Sequence, residues 1–257
     1  MTEEPSPDGT FTAVHRDYNV WLRSESGQEI PVTTDGTEAN RFGTASWVYG
    51  EELDQSTAMW WSPDGAYLAF YEFDVSNTRD YYLLDGLSEL RTGIMRERYP
   101  KAGDPNPIAG LRILDVEGGG IVTVEVGEDP EQYVYAVRWT PDSSELLFNR
   151  TNRHQNVLEV MAADPTTGAT RVVVEERQET WQRNRPEMRF LEDDRRFIWE
   201  TEKSGWKRYE LRDLDGSLIN PLTGTTDPTS EAPTESIVKI DEDAGVLWFT
   251  MRNSETP

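Results

Sequence analysis

Apolar residues in this chain come in short runs, and each run is closed by Gly, Pro, Asp or Asn. Val134-Tyr135-Ala136-Val137-Arg138-Trp139 alternates apolar and polar or small positions with the period of two of a half-buried strand. A turn followed by a strand recurs along the sequence. Ser6-Pro7-Asp8-Gly9 leads into Phe11-Thr12-Ala13-Val14, and Ser62-Pro63-Asp64-Gly65 into Tyr67-Leu68-Ala69-Phe70-Tyr71. Thr140-Pro141-Asp142-Ser143 leads into Leu146-Leu147-Phe148, and a weaker copy runs from Leu191-Glu192-Asp193-Asp194 into Phe197-Ile198-Trp199. Pro presets the turn's φ, Asp accepts from nearby backbone N–H groups, and Gly supplies the positive φ.

A second strand pair follows in each unit. Asn19–Arg23 leads through Gly27 to Gln28–Thr33, and Gly110–Asp115 through three glycines to Ile121–Val124. Val157–Met161 precedes Thr170–Val174, and Trp206–Leu211 precedes Leu218–Leu222. Four short strands per unit, repeated, predict an all-β fold: a β-propeller of four-stranded blades, because one blade alone cannot bury both faces. The predicted units are residues 1–45, 46–127, 128–176 and 177–228, about four blades, plus a half-blade from 234. The first unit is expected to lack its opening strand, and the last to stop after one strand pair, so both ends read as cut. The Pro-rich stretch 227–233 reads as an inter-blade loop. The second unit carries an excursion at Trp47–Gln55 and another at Ser76–Pro107, and such insertions often hold function.

Composition narrows the class. In 257 residues, 36% are hydrophobic and 11% aromatic, enough for a core, and there is no Cys to form a disulfide or thiolate metal site. The net charge of -23 argues against nucleic acid and anionic membrane as partners. No apolar stretch reaches the roughly 18 residues of a membrane span, and the acidic start is unlike a signal peptide, so a cytoplasmic location is the default expectation. Lysine occurs only at Lys101, Lys203, Lys207 and Lys239 against 48 acidic residues. That balance fits either a salt-adapted surface or an ordinary acidic protein.

Glu51-Glu52 is the candidate binding pair. Adjacent carboxylates repel unless a cation lies between them, and a peptide's α-ammonium is such a cation. Trp47 and Tyr49 are candidates for desolvating the pair. The plain alternative is chance, since Glu175-Glu176 is another such pair. His15 and His154 are the only histidines, and no Gly-x-Ser-x-Gly elbow accompanies them, so no catalytic residue is assigned. Asp213-Leu214-Asp215-Gly216 lacks the ligand ladder of a calcium loop and reads as a hairpin turn. Arg183, Arg185 and Arg189 serve either a carboxylate ligand or local charge balance. No cofactor is expected.

Three segments give the chain a specific resemblance. They are Trp47-Val48-Tyr49-Gly50-Glu51-Glu52 with Trp60-Trp61-Ser62-Pro63-Asp64-Gly65 behind it, Tyr99-Pro100-Lys101-Ala102-Gly103 with Asn106-Pro107, and Glu202-Lys203-Ser204-Gly205-Trp206-Lys207. In order and spacing they resemble the propeller of dipeptidyl peptidase IV, in the prolyl oligopeptidase family of serine peptidases. The resemblance implies an eight-bladed propeller joined to a C-terminal α/β-hydrolase domain that carries the catalytic Ser, Asp and His and is missing from this chain. It also implies that Glu51 and Glu52 sit on a short helical insertion and grip the N-terminal amine of a peptide substrate. The family often has a third Glu where Gly50 stands here. The implied partners are the peptide N-terminus and the hydrolase domain, and a homodimer is the suggested form of the parent enzyme. The competing reading is a stand-alone propeller that binds peptides or proteins without chemistry.

Overall fold

The structure, a computed structural model, describes residues 3–88, 90–224 and 233–252. The chain divides into two compact units, Met1–Arg153 with Ala162–Arg171, and His154–Met161 with Val172–Pro257.

The first sheet holds β1 (Glu3–Pro5), β2 (Phe11–Arg16), β3 (Asn19–Ser24) and β4 (Glu29–Pro31) in that order, all antiparallel. The expected missing strand is therefore present: Glu3 pairs with Val14 and Pro5 with Thr12. Its three residues, Glu-Glu-Pro, carry no apolar alternation, and so gave no strand signal.

The second sheet departs from the simple blade. β5 (Asn40–Phe42) pairs with one half of β7 (Tyr67–Asp74), and β6 (Met59–Trp61) pairs along the same strand with the other half. One edge of β7 thus has a partner in two pieces, interrupted by residues 43–58, which include the helix α1 (Trp47–Leu53). The sheet begins at Asn40, not at residue 46. A hairpin, β8 (Asp80–Asp85) with β9 (Gly93–Arg98), projects from between β7 and β10 (Ile108–Asp115), and β11 (Ile121–Thr123) closes the sheet.

A third sheet follows in the order β12 (Tyr133–Trp139), β13 (Leu146–Thr151), β14 (Val157–Ala163) and β15 (Thr170–Arg177). The alternation in β12 is broken by a bulge between Tyr135 and Arg138, with Ala136 at φ 52. In the second unit lie β16 (Met188–Phe190), β17 (Arg196–Thr201), β18 (Arg208–Asp213) and β19 (Leu218–Pro221), then the pair β20 (Thr234–Asp241) and β21 (Val246–Met251). The stretch 227–233 lies outside the described residues except for Pro233.

The repeated turn has one geometry. Gly9, Gly65, Ser143 and Asp194 all take positive φ, and each donates its N–H to the carbonyl of the residue three earlier. Asp8, Asp64, Asp142 and Asp193 each accept from a backbone N–H two residues on. Within the first unit a second repeat links neighbouring sheets. The Trp61 indole donates to the Glu4 carbonyl at 2.9 Å, and the Trp139 indole to the Trp60 carbonyl at 3.0 Å. Glu4 and Trp60 stand two residues before their turn serines, so the same bond recurs at equivalent places.

Within each unit, apolar packing joins neighbouring sheets. Ala13, Val20, Leu22, Phe42, Met59, Leu68, Phe70 and Leu114 form one core in the first unit. Leu191, Ile198, Tyr209 and Ile237 form another in the second. Each fully buried Val, Leu, Ile, Phe or Met side chain among them contributes about 1.5–3 kcal/mol.

Candidate functional site

Helix α1 is two turns long and is held by its buried face. Tyr49 and Leu53, four residues apart, are both buried, while Gly50, Glu51 and Glu52 are exposed. At about 100° per residue, Glu51 projects opposite the buried face and Glu52 about 100° to its side. Ser46 precedes the helix without a side-chain cap, and Asp54 ends it in the left-handed region at φ 56. The Gln55 N–H returns to the Tyr49 carbonyl at 3.0 Å.

Tyr49 fixes the helix from beneath. Its ring lies edge-on to Phe73 at 4.7 Å and to Tyr71 at 5.9 Å, and its hydroxyl accepts from the Val134 N–H at 3.1 Å. Burial raises the pKa of both Tyr49 and Tyr71. The expectation that Tyr49 desolvates the glutamate pair is corrected, because its ring points into the core. Trp47 instead meets Tyr99, with ring centroids 4.4 Å apart.

Gln55 is a positioning residue that the sequence did not mark. Its amide N–H donates to the Leu53 carbonyl at 2.8 Å, and its Oε1 accepts from the Ala136 N–H at 2.9 Å and the Tyr71 hydroxyl at 3.2 Å. It joins the end of α1 to the β12 bulge. Bulges re-aim chain next to functional sites. An isolated glutamine after a helix carries no pattern that would have revealed this.

Two of the three resemblance segments converge here. Tyr99 meets Trp47, and Asn106, which is buried, donates to the Tyr133 hydroxyl at 2.8 Å. The Tyr133 ring lies 6.2 Å from Tyr49. Beside α1, at the hairpin base, a pocket of about 460 Å³ is lined by Trp47, Tyr81, Leu83, Glu97, Tyr99 and Lys101, among others. The hairpin base is clasped by charge: Asp80 pairs with Arg98 at 3.2 Å and Arg96 at 3.5 Å, and Glu38 also pairs with Arg96.

The third segment lies in the second unit, at the turn between β17 and β18. Lys207 pairs with Glu200 at 2.8 Å and Lys203 with Glu176 at 3.5 Å, and both carboxylates are buried. Glu176 also accepts from the Trp199 indole at 3.0 Å and the Thr201 hydroxyl at 3.1 Å. Arg183 pairs with Glu200 at 3.0 Å and Arg189 with Glu187 at 2.5 Å, so these two arginines balance local charge. Asp213–Gly216 forms the β18–β19 hairpin turn, with the Gly216 N–H on the Asp213 carbonyl at 2.8 Å. His15 lies in β2, its Nδ1 2.8 Å from the Phe42 carbonyl oxygen, and burial lowers its pKa.

The relatives agree with this architecture. The dipeptidyl peptidase IV (DPP IV) N-terminal region matches residues 1–257. A dipeptidyl-aminopeptidase B of Aspergillus niger is 32% identical over 188 residues, covering 65% of this chain and 20% of its own length. A protein of Pyrenophora teres f. teres named probable dipeptidyl-aminopeptidase B is 33% identical over 175 residues, 62% of this chain and 19% of its own. The chain therefore spans about a fifth of the length of these curated relatives. The crystal structure of Porphyromonas gingivalis dipeptidyl peptidase 4 superposes with a TM-score of 0.83 over 98% of this chain and 35% of its own, at 24% identity, which establishes the shared propeller fold. With a family match along its whole length and this fold, the chain belongs to the dipeptidyl peptidase IV N-terminal region family.

Proposed function

We propose that this chain is the substrate-gating propeller portion of a dipeptidyl-peptidase-IV-like serine exopeptidase, and that Glu51 and Glu52 hold the N-terminal ammonium of the peptide. The carrying observation is the placement of α1. It interrupts the paired edge of β7, is anchored through Tyr49 and Leu53, and leaves both carboxylates exposed. An ammonium donates up to three hydrogen bonds, and two carboxylates on adjacent residues offer acceptors on two sides of it. An anchor of that kind fixes the chain end, so that a nucleophile at a set distance cleaves after the second residue. In this reading an α/β-hydrolase domain of the parent enzyme supplies the Ser-His-Asp chemistry, by an acyl-enzyme route.

For the homodimer proposed for the parent enzyme, the β8–β9 hairpin is the candidate surface. Tyr82, Leu84 and Ile94 lie on one face, since Leu84 is paired with Ile94, and they are 64%, 65% and 71% exposed. An exposed apolar face of this kind marks an association surface. Asp in place of Leu84 and Ile94 should shift the parent enzyme to monomer in sedimentation, and an unchanged mass removes the hairpin from the interface.

The amine reading is tested by binding. Ala-Pro-amide should bind the chain, and its N-acetyl form should bind at least tenfold more weakly, because it offers no ammonium. Equal binding of the two contradicts the reading.

A further inference from the structure

Lys101 is the one lysine of four with no carboxylate within ion-pair distance among the described residues. Lys203, Lys207 and Lys239 pair with Glu176, Glu200 and Asp241 at 3.5, 2.8 and 3.2 Å. In a chain of net charge -23, a cation left without such a partner stands out. Its Nζ instead sits over the Tyr81 ring, 5.1 Å from the centroid, which keeps the charge at the rim of the pocket beside α1. The pocket wall is aromatic: Tyr99 contacts both Trp47 at 4.4 Å and Tyr81 at 5.3 Å. The other titratable side chains lining the pocket are Glu97 and the two tyrosines, and the Glu97 carboxylate accepts from the Arg98 N–H at 3.2 Å. The pocket thus joins an apolar, aromatic floor to an available cation, a pairing suited to a ring with a carboxylate next to it.

Its position relates it to the glutamates. Trp47 and Glu51 are four residues apart and share a face of α1, about 6 Å along the axis. An extended peptide advances about 3.3 Å per residue. A chain whose amine rested at Glu51 and that ran along α1 toward Trp47 would bring its third residue to the pocket.

We propose that this pocket is a peptide side-chain subsite, taking an aromatic residue at about the third position with an acidic residue following it, the acid pairing with Lys101. The proposal rests on the amine reading of Glu51 and Glu52, and its test separates the two. The probes are Ala-Pro-Phe-Asp-amide, its Asn and Gly counterparts at the fourth and third positions, and the N-acetyl form, titrated against the chain by calorimetry.

The Asp peptide should bind about two- to fivefold more tightly than the Asn peptide, as an exposed ion pair allows. Lys101→Met should abolish that difference, so that the Asp and Asn peptides bind the variant equally. Phe over Gly should gain about tenfold. Equal binding of the Asp and Asn peptides, or equal weakening of both by Lys101→Met, overturns the subsite even where acetylation abolishes binding. If the Asp preference holds and acetylation changes nothing, the subsite stands and the amine reading fails. Failure of every free-amine peptide to bind at millimolar concentration contradicts both.

Discussion

The hydroxyl of Tyr49 accepts a hydrogen bond from the backbone N–H of Val134 at 3.1 Å, tying the α1 insertion to the bulged strand β12. Tyr49→Phe keeps the ring packing and removes the acceptor. A buried donor left without a partner costs about 1–3 kcal/mol. The unfolding free energy should fall by that amount, seen as a lower urea midpoint at an unchanged m-value. No change in midpoint would mean that the ring alone seats the helix.

Gly50 sits inside α1, exposed, and a Cβ there would meet no atom within 4 Å. Gly→Ala in such a helical position stabilises by about 0.5–1 kcal/mol. Gly50→Ala should raise the melting temperature and leave peptide binding unaltered. A lower melting temperature would show that this turn needs glycine's freedom.

His15 gives a pH dependence with a defined sign. Burial depresses its folded pKa below 6.5, so the folded state resists protonation while the unfolded state accepts it. Its contribution is present above pH 6.5 and is lost as pH falls through the lowered folded value. Asp8, held down to about 2 by Ser6 and Thr10, matters only in stronger acid. His15→Gln should flatten the stability curve between pH 7.5 and 5.5 relative to the natural chain. Parallel curves would assign that slope to other groups.

The charge of -23 predicts a salt response. Screening relieves long-range repulsion while weakening exposed pairs such as Arg23–Glu3, which contribute little individually. The melting temperature should therefore rise between low and molar KCl. A flat or falling curve would leave the acidity without a stabilising role for salt.

Much of the fold was legible because its signals are local. Ser62-Pro63-Asp64-Gly65 encodes its own turn, and the strand after it is apolar enough to declare itself. What escaped was set by tertiary partners. Strand β1, Glu3–Pro5, exists because β2 offers it a ladder, and its own residues say nothing of it. The Ala136 N–H at the bulge finds its acceptor in Gln55, far away in sequence. At the candidate site the helical insertion was legible through resemblance, whereas the inward aim of Tyr49 and the aromatic pocket at Trp47 depended on Phe73 and Tyr99 arriving from other strands.

The central claim concerns Glu51 and Glu52, and kinetics of the proposed parent enzyme test it most directly. The measurement is kcat/KM for matched substrates with free and N-acetylated termini, in the natural enzyme and in Glu51→Gln and Glu52→Gln. Each substitution keeps shape and removes one charge. A charge-assisted hydrogen bond contributes about 1.5–3 kcal/mol, so kcat/KM for the free-amine substrate should fall about ten- to a hundredfold. The acetylated substrate should lose little. Equal losses for both substrates would mean that the pair shapes the cavity without recognising the amine, and would contradict the account.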